Sequence, residues 1–126
     1  MRRASILIVA VAGLITLVLA GCGDSEPPSP PPGTIAMREY EFVPKHATVD
    51  RGDTITVANQ GKIAHNLVVE KRTDPLGKVE KLIGTDTFLG GRSESLRVDL
   101  PPGSYTIVSS VPGQRQLGMY GTLTVR

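Results

Sequence analysis

The chain has 126 residues, 14 Lys and Arg against 12 Asp and Glu, a formal net charge of +2, and one cysteine. A lone cysteine rules out an internal disulfide, and two excess positive charges make no cationic surface for nucleic acid. Both excess charges stand at the very start, as Arg2 and Arg3.

Met1-Arg2-Arg3 is followed by an apolar run from Ala4 to Leu19, interrupted only by Ser5, Gly13 and Thr16. A basic start and an apolar stretch too short and too early for a stable spanning helix make the pattern of a secretion signal. The run ends in Leu19-Ala20-Gly21-Cys22, which resembles the lipobox of bacterial lipoproteins. The resemblance implies cleavage before Cys22 and acylation of that residue. Residues 1–21 are therefore expected to be a lipoprotein signal peptide, and the protein to be exported and lipid-anchored to a bacterial membrane through Cys22. An ordinary secretory signal with a cysteine at its boundary is the plainer alternative. Stable anchoring requires more than one acyl chain. Without Arg2 and Arg3, twelve basic residues face 12 acidic ones, and the mature chain is formally neutral. With Cys22 acylated, no thiol remains as nucleophile or metal ligand.

The next stretch, Gly23 to Gly33, reads GDSEPPSPPPG and carries five prolines. Proline fixes φ and removes amide donors, so an extended, unpacked, polyproline-like segment is expected. Residues 22–33 thus read as a lipidated cysteine and a semi-rigid linker.

Residues 34–126 form the expected folded domain, long enough for one core. No helix is legible. Strand-like segments are Thr34–Tyr40, Ala47–Val49, Thr54–Ala58, Asn66–Glu70, Thr85–Phe88, Glu94–Leu100, Ser104–Val108 and Tyr120–Val125. In Ser95–Leu100 the apolar set is Leu96, Val98 and Leu100, the period of a sheet with one wet face. Arg51-Gly52-Asp53, Asn59-Gln60-Gly61, Gly90-Gly91 and Pro101-Pro102-Gly103 supply the breaks. The span from Lys71 to Glu94 stays open, with Val79, Leu82 and Ile83 fitting a short helical turn or an extra strand. The class is all-β, a two-sheet sandwich or small barrel.

Two longer passages carry a family resemblance. "EFVPKHATVDRGDTITVANQGKIAHNLVV" and "LPPGSYTIVSSVPGQRQLGMYGTLTV" together resemble the two halves of a cupredoxin, the small blue-copper type related to plastocyanin and azurin. The resemblance implies a Greek-key β-sandwich with the entrance to the His65 strand and the Ser109–Met119 loop at one end. It also implies parallel pairing of the first and third strands. Electron transfer through copper is the activity it implies.

The family's ligand positions fall on His65 for the first histidine, Ser109 for the cysteine, Gln114 for the second histidine and Met119 for the axial methionine. A blue-copper site rests on a copper–thiolate bond and two imidazoles, with the thioether a weak axial partner. A serine hydroxyl cannot supply the thiolate bond. Three functions stay open. One is a lipoprotein of this fold without a complete type 1 copper site and with no cofactor, acting as a binding or accessory module. There Ser109 and Gln114 would brace the loop to His65 by hydrogen bonds, and Met119 would fill the core. Another is a copper protein with a weak, non-blue site at His65 and Met119, better suited to Cu(I). The last, a serine hydrolase at Ser109 or Ser110, lacks a Gly-x-Ser-x-Gly elbow and an evident carboxylate. The partners expected are the membrane, through Cys22, and an envelope or redox protein. His46 reads as a surface side chain.

Overall fold

The computed structural model describes Gly21, Gly23 and residues 26–126. The leader and Cys22 lie outside the described residues, as do the expectations that rest on them. Among the described residues, no helix is long and apolar enough to cross a membrane.

Nine strands carry the domain: β1 (Thr34–Arg38), β2 (Glu41–Val43), β3 (His46–Val49), β4 (Thr54–Asn59), β5 (Val68–Arg72), β6 (Val79–Gly84), β7 (Ser93–Arg97), β8 (Gly103–Val108) and β9 (Tyr120–Val125). Alternation decides their faces. β4 buries Ile55 and Val57 and exposes Thr54 and Thr56; β3 buries Ala47 and Val49. Such half-buried strands need a second apolar face, and two sheets supply it to each other. One has the order β2-β1-β4-β7, the other β3-β9-β8-β5-β6. The chain changes sheet after β2, β3, β4, β6 and β7, which makes the expected Greek-key sandwich. β1 pairs with β4 in parallel, so the first and third expected strands are indeed neighbours of that sense. Between the sheets lie Ile35, Met37, Phe42, Ile55, Val57, Leu67, Val69, Ile107 and Leu123, all nearly inaccessible. Full burial of such a side chain contributes about 1.5–3 kcal/mol.

Three expected strands differ in a way that shapes the site. Thr34–Tyr40 ends at Arg38, because Glu39 and Tyr40 form a two-residue turn that pairs Arg38 with Glu41 and starts β2. Tyr40, the second central residue, takes a positive φ of 61° as in a type II turn, without the usual glycine or asparagine. Thr85–Phe88 is not a strand; it touches the sheet through one bridge, His65 to Phe88. Its start is held by one backbone and one side-chain bond, since Thr85 N donates to Leu67 O at 2.9 Å and Leu67 N donates to Thr85 Oγ1 at 3.1 Å. The segment expected at Asn66–Glu70 begins its ladder at Val68, leaving His65 and Asn66 in a loop. Val79, Leu82 and Ile83 belong to β6, an edge strand.

The proline-rich segment is not a free stalk. Thr34 N donates to Pro31 O at 3.1 Å, turning the chain back. Arg38 Nη2 donates to Pro28 O at 3.0 Å. Ser29 to Pro32 line a cleft of about 240 Å³ with Val43, Pro44 and His46.

Register brings the C-terminal ends of β1, β4 and β8 to the same end of the sandwich as the starts of β5, β7 and β9. The loops at that end build the site.

Candidate metal centre

Two loops meet there: residues 60–67 between β4 and β5, and residues 109–119 between β8 and β9. Asn59, only 1% exposed, shapes the first. Its Nδ2 donates to Ile63 O and to Phe88 O, each at 2.9 Å, and its Oδ1 accepts from Gly61 N at 2.9 Å. Every polar atom of a short buried amide is thereby used on backbone, which fixes the loop's path. His65 then exchanges backbone hydrogen bonds with Phe88, at 3.2 and 3.0 Å, and its side chain is fully buried. The chain must pass close to the ring. A Cβ on Gly61 would stand 2.9 Å from His65 Nε2 and 2.6 Å from Glu39 Oε1, so a larger residue would have to displace one or both side chains.

The second loop folds on itself. Ser109 N donates to Met119 O at 3.1 Å, Met119 N to Gln114 O at 3.0 Å, and Gln114 N to Val111 O at 3.1 Å. Gly113, at φ 83°, completes the turn after Pro112. These bonds close the loop so that Ser109, Gln114 and Met119 are all buried.

The side chains of His65, Ser109 and Gln114 converge on one atom. Gln114 Oε1 lies 2.8 Å from His65 Nδ1 and accepts from Ser109 Oγ at 2.7 Å. Gln114 Nε2 donates to Ala64 O at 2.9 Å. Because a carbonyl only accepts, Ala64 fixes which way the amide points, and the amide in turn requires a proton on His65 Nδ1. Asn66 extends the arrangement: its Oδ1 accepts from Ser110 N at 2.9 Å and lies 3.1 Å from Ser109 Oγ, and its Nδ2 donates to Ser110 Oγ at 2.8 Å. Two loops distant in sequence are thus laced together through the Gln114 and Asn66 amides.

On the other side of the ring, His65 Nε2 is buried without a hydrogen-bond partner. Glu39 Oε1 lies 3.8 Å from it. That carboxylate accepts from Lys62 N and from Ile63 N, the latter at 3.4 Å. The Lys62 amide, first, and then the Ile63 amide and the nearby imidazole hold the Glu39 carboxyl below the usual 4.5, against a smaller opposing push from desolvation.

These residues do not fit a blue-copper ion. Ser109, which the resemblance sets at the thiolate position, is a hydroxyl whose proton is committed to an amide oxygen. Gln114, which the resemblance sets at the second imidazole position, is that same amide, and its oxygen lies against His65 Nδ1. Among the described residues, no group of three or more His, Cys, Asp or Glu side chains could hold a metal. Met119 is fully buried and belongs to the core cluster, with its backbone tied to Ser109 and Gln114. The Ser109 hydroxyl meets no imidazole or carboxylate, so no base activates it. His46 is exposed on β3. Asn59, Asn66 and Glu39 escaped the sequence reading as site residues. The Asn-x-Gly and His-Asn pairs marked loops, but nothing in a single sequence tells where an amide side chain points. Glu39 is remote from both loops in the chain, so only the fold brings it there.

The family model for copper binding proteins of the plastocyanin/azurin family matches residues 34–126. The chain is 33% identical over 130 residues to the minor chloroplastic plastocyanin isoform of Arabidopsis thaliana, covering 94% of this chain and 68% of that protein. It is 31% identical over 103 residues to the chloroplastic plastocyanin of Chlamydomonas reinhardtii, covering 79% of this chain and 65% of that one. Among solved structures, reduced auracyanin from Roseiflexus castenholzii superposes with a TM-score of 0.58 at 25% identity, covering 74% of this chain and 94% of that one. A purple cupredoxin from Nitrosopumilus maritimus, at 20% identity and a TM-score of 0.56 over 74% of this chain and 98% of that one, shares the fold.

Proposed function

Because the chain belongs to the plastocyanin/azurin family of copper-binding proteins, we propose that it is a member in which an amide network takes the place of the copper centre. It works as a binding or accessory module, without a resident cofactor and without an enzymatic reaction. One observation carries this reading: Gln114 Oε1 stands 2.8 Å from His65 Nδ1 and accepts the Ser109 proton. A buried imidazole nitrogen and hydroxyl left unpaired would each cost about 1–3 kcal/mol. The network removes that cost with groups that bind transition metals poorly.

The module is delivered to a membrane surface. Residues 1–21 act as a lipoprotein signal peptide, Cys22 carries the lipid, residues 22–33 connect it to the domain, and residues 34–126 are the domain outside the cytoplasm. The Leu19-Ala20-Gly21-Cys22 stretch behind a basic, apolar leader supports this. Its partner is an envelope protein, a redox protein among the candidates; formal neutrality of the mature chain argues against nucleic acid.

Metal content and copper titration of the mature protein test the function. With Cu(II), no intense thiolate-to-copper band and no small-hyperfine paramagnetic resonance signal is expected. Ser109→Cys combined with Gln114→His should gain blue-copper character. A strong blue signal from the unaltered protein overturns the proposal. A second reading, a weak Cu(I) site using His65 and Met119, draws on the unpartnered His65 Nε2 for a free imidazole nitrogen and on the resemblance alone for Met119. Anaerobic Cu(I) titration decides it: saturable binding lost in both His65→Ala and Met119→Leu would establish it.

A further inference from the structure

The sandwich has two unlike ends. At the far end, Arg51 pairs with Asp99 at 3.2 Å and Arg126 with Asp50 at 3.1 Å, all well exposed. At the site end, Leu89 is 63% exposed, Leu117 59%, Ile63 40% and Tyr40 36%. These four come from four separate segments that the fold draws together. Ile63 and Phe88, next to Leu89, are both held by Asn59. A Cβ on Gly90 would lie 2.1 Å from Gly61 O, and one on Gly118 would lie 3.5 Å from Tyr40 O. The rim therefore forms one face, with the exposed Lys62 set into it. Leu76, nearly fully exposed in the β5–β6 turn, has only the exposed Val79 close to it in sequence, and scattered exposed apolar side chains are ordinary.

The linker leaves the domain at the same end. After the Pro31–Thr34 turn it runs back along β1, and Pro28 is met by Arg38, the last residue of that strand. Six chain steps lead from Pro28 to Cys22, a reach of at most about 20 Å. β4 alone spans about 20 Å, before the loops at each end are added. A chain fixed at Arg38 is too short to run past the domain and place its far end on the bilayer.

We propose that the apolar rim of Tyr40, Ile63, Leu89 and Leu117, with Lys62, rests on the lipid surface that holds Cys22, so that the site end faces the membrane. The inference relies on acylation of Cys22. The acyl chains supply the anchoring and the short tether a high local concentration. The rim then has only to select an orientation, which a few interfacial apolar side chains and one lysine near anionic headgroups can do. Because the Ser109–Met119 loop contributes Leu117, the same contact would cover the mouth of the amide network.

The chain contains no tryptophan, so a single introduced one is an unambiguous reporter. Leu117→Trp at the rim and Pro102→Trp at the far end are compared in the mature protein. Each variant is placed on vesicles of phosphatidylcholine and phosphatidylglycerol containing brominated acyl chains. Quenching of the rim tryptophan should exceed that of the far-end tryptophan by at least about threefold, as an interfacial position requires. Adding Leu89→Glu and Lys62→Glu to the Leu117→Trp chain should remove the difference. Equal quenching at both ends, or an unquenched rim tryptophan as expected if the rim were reserved for a protein, overturns the proposal. Acyl mass on residue 22 is measured separately. The same chains coupled at Cys22 to a maleimide phospholipid report orientation even if the cell adds no lipid, so the two failures are told apart.

Discussion

The two loops at the site end solve the same problem in different ways. The upstream loop is held by Asn59, whose side chain bonds only to backbone: Ile63 O, Phe88 O and Gly61 N. The downstream loop is tied across by Gln114, which bonds one backbone carbonyl and two side chains, Ala64 O, His65 Nδ1 and Ser109 Oγ. Asn59 therefore sets a path whatever fills the site, whereas Gln114 makes the filling. Scaffold and contents are separable in this molecule. That separation is what the proposed function requires of the family's fold.

Breaking the scaffold should cost most. Asn59→Ala removes three hydrogen bonds, one buried and two part-buried, and in each the partner is a backbone group of the upstream loop or of Phe88. We expect a loss of about 3 kcal/mol, at roughly 1 kcal/mol per bond, read as a lower urea midpoint. The same variant should also loosen the Phe88–Leu89 segment, visible as faster amide exchange at Gly91, which donates to Asn59 O at 2.7 Å.

Gln114→Ala should cost less, about 2 kcal/mol by the same measurement. It too removes three contacts, but Ser109 Oγ already lies 3.1 Å from Asn66 Oδ1 and can turn to it. Ala64, half-buried, can be reached by water. If Gln114→Ala proved more damaging than Asn59→Ala, the division between scaffold and contents would be wrong.

Much of the scaffold was legible in the sequence, because alternation at Thr54–Val57 and Ser95–Leu100 and glycine-bearing turns are local signals. The hairpin at Glu39–Tyr40 was not. Its turn lacks glycine or asparagine, and a continuous run of strand-forming residues hides the reversal. β6 was ambiguous because an edge strand needs only a weak apolar face. The site was half legible: the positions His65, Ser109, Gln114 and Met119 follow from a resemblance. The roles of Asn59, Asn66 and Glu39 depend on side-chain directions that exist only once the loops are closed.

The smallest effect concerns the outer edge of the ring. Glu39 is held below 4.5 mainly by the Lys62 amide, so its folded form is the weaker acceptor of protons. A lowered folded value means stability that is present above the ordinary value and lost as pH falls through the lowered one. Glu39→Gln should therefore flatten the acid limb of the stability profile below about pH 4.5, by lowering the neutral plateau slightly toward an unchanged acid end. The side chain is 42% exposed, which keeps the change small. An unchanged acid limb would show that this carboxylate is not coupled to folding.

The central claim is that Gln114, and not a metal, occupies His65 Nδ1. Nitrogen-15 nuclear magnetic resonance of labelled imidazoles reads this directly, since protonated and bare ring nitrogens have distinct shifts. His65 should show a slowly exchanging Nδ1–H that vanishes in Gln114→Ala and persists when one equivalent of Cu(I) is added without oxygen. An unprotonated Nδ1 in the untreated protein, or its displacement by that single equivalent of copper, would contradict the account.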